Sequence, residues 1–220
     1  MSDRSRAAVW TGRLGVLLVV AGLAVGGWVG WQVWGTDVVA QRTHRDLVER
    51  AERAWGRGGT AALATEHGRL SAVVRIPRFG KDYAVPVLEG TSDEVLASGF
   101  GRVTDGAPAG GRGNLVLAAH RVTHGEPLRD MPSLRPGDEV VVETAAWTYT
   151  YVLDTGGDDL TVPFTAGWVL DEVPRNPDGG VQPAQRPGQR LLTLTTCAEL
   201  FHTDGRLVAF GHLESRERTR

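Results

Sequence analysis

Apolar and polar positions follow three different periods along the chain. Leu14 to Trp34 is a run of 21 residues without a formal charge. As a helix it would span about 30 Å, the thickness of a bilayer core, so a transmembrane helix is predicted there. Trp10 precedes the run and Trp28, Trp31 and Trp34 crowd its far end, where amphipathic rings favour the headgroup region. Arg13 abuts the near end, whereas the first arginine beyond the far end is Arg42. Residues 1–13 are therefore read as a cytoplasmic tail and the bulk of the chain as lying outside. A cleaved signal peptide ending near Val38-Val39-Ala40 is the competing reading, and the length of the apolar run counts against it. Gly22, Gly26 and Gly30 recur at four-residue spacing and would leave a smooth strip for helix packing, although glycine is common in membrane helices generally.

Residues 35–70 are more polar. Val39, Leu47, Ala51 and Trp55 stand near helical spacing between Asp37 and Trp55, which predicts a juxtamembrane helix or stalk serving as a spacer. Glycine, alanine and small polar residues from Gly56 to Gly68 read as a linker. From Ser71 the period shortens to that of β-strands, with candidates at Ala72–Ile76, Tyr83–Val87, Asn114–Ala119, Glu139–Thr144, Trp147–Leu153, near Leu160, Leu191–Thr196 and Leu207–His212. In Trp147–Leu153 the residues Trp147, Tyr149, Tyr151 and Leu153 alternate with Thr148, Thr150 and Val152, so one face is expected to be buried. Thr91-Ser92-Asp93-Glu94 has the form of a capping box opening a short helix. Seven or eight closely spaced strands over residues 71–213 suggest a closed or nearly closed barrel, and the charged stretch 214–220 reads as a solvated, frayed tail.

Composition narrows the function classes. A net charge of -2, a pI near 6.3 and the lack of an aromatic-basic repeat argue against nucleic acid as a partner. The 29 glycines and 11 prolines favour turns and short strands over a helical bundle. The single cysteine, Cys197, cannot form an internal disulfide. An unpaired cysteine is ordinarily a small buried hydrophobe, but outside the membrane an accessible thiol is open to oxidation, which directs attention to its reactivity.

Cys197 ends the apolar strand that starts at Leu191 and is followed at once by the loop Ala198–Gly205. A thiol with an unperturbed pKa of about 8.5 needs a cationic or basic neighbour to act as a nucleophile near neutral pH. His120 ends the strand Asn114–Ala119 in the same way, and Arg206 opens the strand that follows the loop. If the strands on either side of that loop pair as a hairpin, Cys197 and Arg206 face each other across it. His120, His124 and His202 also permit a zinc reading, but no HExxH helix and no paired cysteines supply the usual spacing, so no metal is expected.

Thr193-Leu194-Thr195-Thr196-Cys197, with His120 upstream and Arg206 downstream, resembles the signature of the sortases, and of class E sortases of high-GC Gram-positive bacteria in particular. The resemblance runs from about Arg75 to Leu213 and takes in Ile76-Pro77, Gly113-Asn114, His120 to Gly125 and Leu134-Arg135-Pro136-Gly137-Asp138. It implies a mainly β fold, a closed eight-stranded sortase-type β-barrel with short helices behind an N-terminal transmembrane helix. It also implies a cysteine transpeptidase without a cofactor. Such an enzyme cleaves the Thr-Gly bond of a C-terminal LAXTG- or LPXTG-type sorting signal through a Cys197 thioacyl intermediate and passes the acyl group to an amine of a cell-wall precursor. His120 is then the acid and base, and Arg206 serves either the oxyanion or substrate positioning. Thr196, His124 and Arg121 are candidate substrate contacts, with His202 a further loop candidate, while His212 is assigned to packing or a surface hydrogen bond. Class E members often carry tyrosine where His124 stands, at a position linked to alanine in the second place of the signal. Expected partners are secreted proteins bearing sorting signals, a peptidoglycan precursor amine and the membrane.

Overall fold

The structure, a computed structural model, describes residues 3–30, 36–59, 61–197 and 204–219, with side chains for all of these except 3–12, 14, 29, 30, 36 and 197. Among the described residues three α-helices, α1 (Asp3–Gly30), α2 (Thr36–Trp55) and α3 (Asp93–Ala97), accompany ten strands. The strands are β1 (Leu63–Thr65), β2 (Gly68–Arg75), β3 (Val85–Glu89), β4 (Phe100–Arg102), β5 (Gly113–Ala118), β6 (Glu139–Glu143), β7 (Trp147–Leu153), β8 (Thr161–Pro163), β9 (Arg190–Cys197) and β10 (Gly205–Arg218).

Eight of the strands close on themselves in the order β2-β3-β4-β5-β9-β10-β7-β6, and β6 returns to β2 through Val73↔Glu143, Val74↔Val142 and Arg75↔Val141. The remaining two are additions: β1 pairs with β2, and β8 pairs with β10. Closure removes the open edges that short strands would otherwise expose. The expected barrel is therefore present, although β1 and β4, three residues each, escaped the pattern reading because they are too short to show a period. Phe100, Leu115, Leu117, Tyr151, Leu192, Leu194 and Ala209 fill the interior. In β7 the expected alternation holds, with Tyr149, Tyr151 and Leu153 buried. Burying each large apolar side chain contributes about 1.5–3 kcal/mol. Tyr151 is also satisfied at its polar end, where its hydroxyl oxygen accepts from Gly110 N at 2.7 Å. The predicted short helix is present, but its cap is Ser92, which accepts from Val95 N, one position beyond the Thr91 of the expected capping box.

Three parts differ from expectation. Helix α1 starts at Asp3, ahead of the predicted Leu14, and residues 31–35, including Trp31 and Trp34, lie outside the described residues. Among the described residues no helix is long and apolar enough to cross a membrane. Its first turns carry Asp3, Arg4, Arg6 and Arg13, and the continuous stretch 15–28 with described side chains covers only about 21 Å. Helix α2 is more than a stalk. Ala40, His44, Leu47, Val48, Ala51 and Trp55 form its buried stripe, and the second half of that stripe packs on Leu70, Val73 and Leu88 of the barrel wall and on Val95 of α3. Val39, counted on the apolar face by spacing, is 56% exposed, because the stripe runs one position further along the helix. Glu214, Arg216, Glu217 and Arg218 are exposed but belong to β10. They extend β10 along β7 from Ser215↔Thr150 to Arg218↔Trp147, and the guanidinium carbons of Arg216 and Arg218 lie 4.9 and 5.0 Å from the Trp147 ring centroid. A strand that keeps a partner along its length does not fray.

Candidate active site

Three neighbouring strands build one corner of the barrel. β5 and β9 run parallel, with Ala118 opposite Thr195, so both finish at the same rim. His120 lies two residues past Ala118, and Cys197 two residues past Thr195. β10 runs antiparallel to β9 and starts at that rim with Arg206 opposite Cys197. Cys197 and Arg206 are thus paired on adjacent strands, where neighbours are about 4.8 Å apart, and His120 leaves the end of β5 on the other side of β9 at the same rim. The hairpin expected from sequence is present. The β5–β9 pairing that brings in His120 joins segments far apart in the chain.

Polar contacts lock this row. Ala119 N donates to Thr195 O at 3.2 Å, and Thr196 Oγ1 donates to Ala119 O at 2.7 Å. Thr196 is buried, so its hydroxyl ties the end of β9 to the residue preceding His120. Nearer the middle of the same two strands, Thr193 Oγ1 donates to Asn114 Oδ1 at 2.8 Å, and Asn114 Nδ2 donates to the carbonyls of Val169 (3.1 Å) and Asp171 (3.0 Å). Such buried groups cost free energy unless paired, and here they are paired. Arg206, half-buried, donates from Nη1 to Gly205 O at 3.1 Å.

The loop after β5 is shaped by its own turns. Leu128 N donates to His120 O at 3.0 Å, Glu126 N donates to Thr123 O at 3.1 Å, and Tyr83 Oη donates to Pro127 O at 2.7 Å. His124 folds back so that its ring stacks on that of His120, with centroids 4.8 Å apart and planes 29° from parallel. Its Nδ1 lies 3.0 Å from Thr123 Oγ1. Partial burial, followed by the nearby His124, holds the His120 pKa below its ordinary value, with the Asp93 carboxylate at the start of α3 acting in the opposite sense. His120 therefore favours its neutral form at neutral pH.

Of the residues singled out by sequence, His120, His124 and Arg121 share this loop, Thr196 lies beneath it, and Arg206 stands across the rim. The Cys197 side chain and His202 lie outside the described residues. His212 sits further along β10, where its Nδ1 is 2.8 Å from Asp154 Oδ1. Among the described residues no group of three or more His, Cys, Asp or Glu side chains is gathered to hold a metal ion. Sequence reasoning missed Asp93, as well as Asp37 and His44 of α2, which reach the histidine loop from outside the barrel. A periodicity count that included Ala40, His44 and Val48 beside Leu47, Ala51 and Trp55 would have drawn attention to His44.

The family model for the Sortase domain matches residues 74–214. Sortase SrtE1 of Streptomyces coelicolor is 32% identical over 97% of this chain, which spans 60% of the length of that relative. The solved structure of sortase E from Streptomyces avermitilis is 40% identical with a TM-score of 0.59, covering 70% of this chain and 93% of that one. Sortase E1 from Streptomyces coelicolor, solved with a tripeptide in the active site, is 29% identical with a TM-score of 0.58, covering 71% of this chain and 94% of that one. The family match spans His120, Cys197 and Arg206 and most of the β2–β6 pairing that closes the barrel, and relatives named sortase E recur: the chain belongs to the sortase family.

Proposed function

We propose that this chain is a membrane-anchored sortase of class E type, a cysteine transpeptidase acting on the outer face of a Gram-positive cell. The observation that carries the reading is that Cys197 and Arg206 pair at one rim of the barrel, while His120 follows the end of β5, the parallel neighbour of β9, at the same rim. The Cys197 thiolate attacks the threonine carbonyl carbon of a Thr-Gly bond, forming a C–S bond. The C–N bond then breaks, and the His120 imidazolium gives its proton to the departing glycine amine. In the second half, neutral His120 takes a proton from the incoming amine as its nitrogen attacks the thioester. A new C–N bond forms and the thiolate leaves. With the His120 pKa held down by burial, the imidazolium is a minority species at neutral pH, so the reactive thiolate–imidazolium pair is a small fraction of the enzyme.

Arg206 supplies charge-assisted hydrogen bonds to the developing oxyanion or to the bound signal backbone. His124 and Arg121 shape the groove that reads the second position of the signal. Thr196 meets the signal through its backbone, since its hydroxyl is committed to Ala119. The substrates are secreted proteins with C-terminal LAXTG- or LPXTG-type signals, and the acceptor is an amine of a peptidoglycan precursor. Membrane anchoring is assigned to the uncharged run Leu14 to Trp34, whose last residues lie beyond the described part of α1.

The test is incubation of the protein with LAXTG and LPXTG peptides and an amine, followed by intact mass. A thioacyl adduct that disappears in Cys197→Ala supports the reading. No adduct with any signal peptide removes it.

A further inference from the structure

By sequence α2 is a spacer, but its first half touches the histidine loop. Three consecutive residues of that loop, His124, Gly125 and Glu126, have φ of 55°, 77° and 50°. Left-handed backbone is unfavourable for residues with a Cβ and persists only where the surroundings over-determine it. Here α2 supplies those surroundings. Asp37 Oδ1 accepts from Gly125 N at 3.0 Å across a separation of 88 residues. Ala40 and His44 lie so close beneath Gly125 that a Cβ there would stand 2.9 Å from His44 Cε1, 3.2 Å from its Nδ1 and 3.4 Å from Ala40 Cβ.

His44 is itself an unusual choice for this position. It is 5% exposed, and its Nε2 has no hydrogen-bond partner among the described residues. A leucine on the same stripe would avoid that desolvation cost, so a purely structural helix gains nothing from the ring. Burial, and after it the neighbouring His124, push the His44 pKa down to about 4, which keeps it neutral. Its neighbour His124 is the residue whose ring stacks on His120.

We propose that the first half of α2 is part of the active site, with Asp37 and His44 as positioning residues that hold His124 and, through its stacked ring, His120. What this positioning serves rests on the sortase reading of His120, but the placement can be tested without substrate.

The experiment uses the full chain in a mild detergent with 13Cε1-labelled histidine, whose six histidines give separable NMR resonances. Asp37→Ala is expected to shift the His120 and His124 peaks while His212, paired with Asp154 elsewhere on β10, stays in place. Asp37→Asn keeps an acceptor oxygen and should return the peaks to their wild-type positions. His44→Ala should shift the same two peaks. Unmoved His120 and His124 peaks in both alanine variants would overturn the inference. So would a shift of His212 to the same extent, which marks general loosening. In a transpeptidation assay, Asp37→Ala should lower kcat about tenfold with KM little changed, the factor that follows from losing one hydrogen bond, and Asp37→Asn should restore most of it. A wild-type chain that forms no adduct counts against the sortase function alone, because the spectra still decide the placement.

Discussion

Lowering the pH should weaken this protein through one buried ring. His44 carries a pKa of about 4 in the folded chain against 6.5 when solvated, and burial is the larger cause. Between those values the unfolded chain binds a proton that the folded chain does not, so stability rises with pH across that window. Above 6.5 the penalty is absent, it grows as the pH falls, and it is complete below about 4. Worked through the linkage relation, the drop between pH 7.5 and pH 5 amounts to about 2 kcal/mol from His44. Removing the titrating group removes the slope, and His44→Leu keeps the apolar contact on the α2 stripe without an ionisable ring. Urea unfolding of both proteins, followed by tryptophan fluorescence, measures the two pH dependences, and buried Trp55 reports on α2 directly. Wild type should lose about 2 kcal/mol more than His44→Leu between pH 7.5 and pH 5, with the remaining histidines cancelling in the comparison. Hydrogen exchange on α2 amides then tells undocking of the helix from global unfolding. Parallel pH curves for the two proteins would refute the reasoning, because they would mean that the buried ring pays no charging penalty.

Gly125→Ala places a Cβ at φ 77° against His44, and should cost about 1–2 kcal/mol from backbone conformation alone. Adding His44→Ala relieves the contact, so thermal unfolding of the double variant should show a deficit smaller than the sum of the single ones. Asn114→Ala strands the Thr193 hydroxyl and the carbonyls of Val169 and Asp171, and should lower unfolding free energy by on the order of 3 kcal/mol in denaturant titration. Arg206→Ala should slow thioacyl formation about 100-fold, measured by quenched intact mass. Arg206→Lys should recover only part of the rate, because an ammonium lacks the planar fork of donors. Deleting residues 214–220 should lower stability by about 2 kcal/mol or more, since the pairs from Ser215↔Thr150 to Arg218↔Trp147 and the stacking on Trp147 go with them. An unchanged melting temperature would show that this end of β10 contributes nothing.

The barrel was largely legible because its strands are amphipathic at period two. Trp147–Leu153 was readable to the residue, since every second side chain faces the interior and the pleat is written directly in the apolar pattern. β1 and β4 were invisible, as three residues carry no period. The end of β10 was hidden for a different reason. Glu214 to Arg218 are all solvent-facing, so their composition is that of a tail, and only the partner strand β7 reveals a ladder.

The site divides along the same line. The chain by itself determined that Cys197 closes an apolar strand, that Arg206 lies at the start of one and that His120 follows one closely, because strand ends are local events marked by the change from apolar alternation to turn residues. The Cys197↔Arg206 pairing was legible only on the condition that the two strands form a hairpin, and the structure meets that condition. Tertiary structure alone decided that β5 lies parallel to β9, which places His120 beside the hairpin, and that α2 turns Ala40 and His44 toward the histidine loop while leaving Val39 in solvent. Both are contacts between segments remote in sequence. An amphipathic helix fits more than one rotation about its axis, a strand end fits more than one neighbour, and the choice is made by whatever surface packs against them.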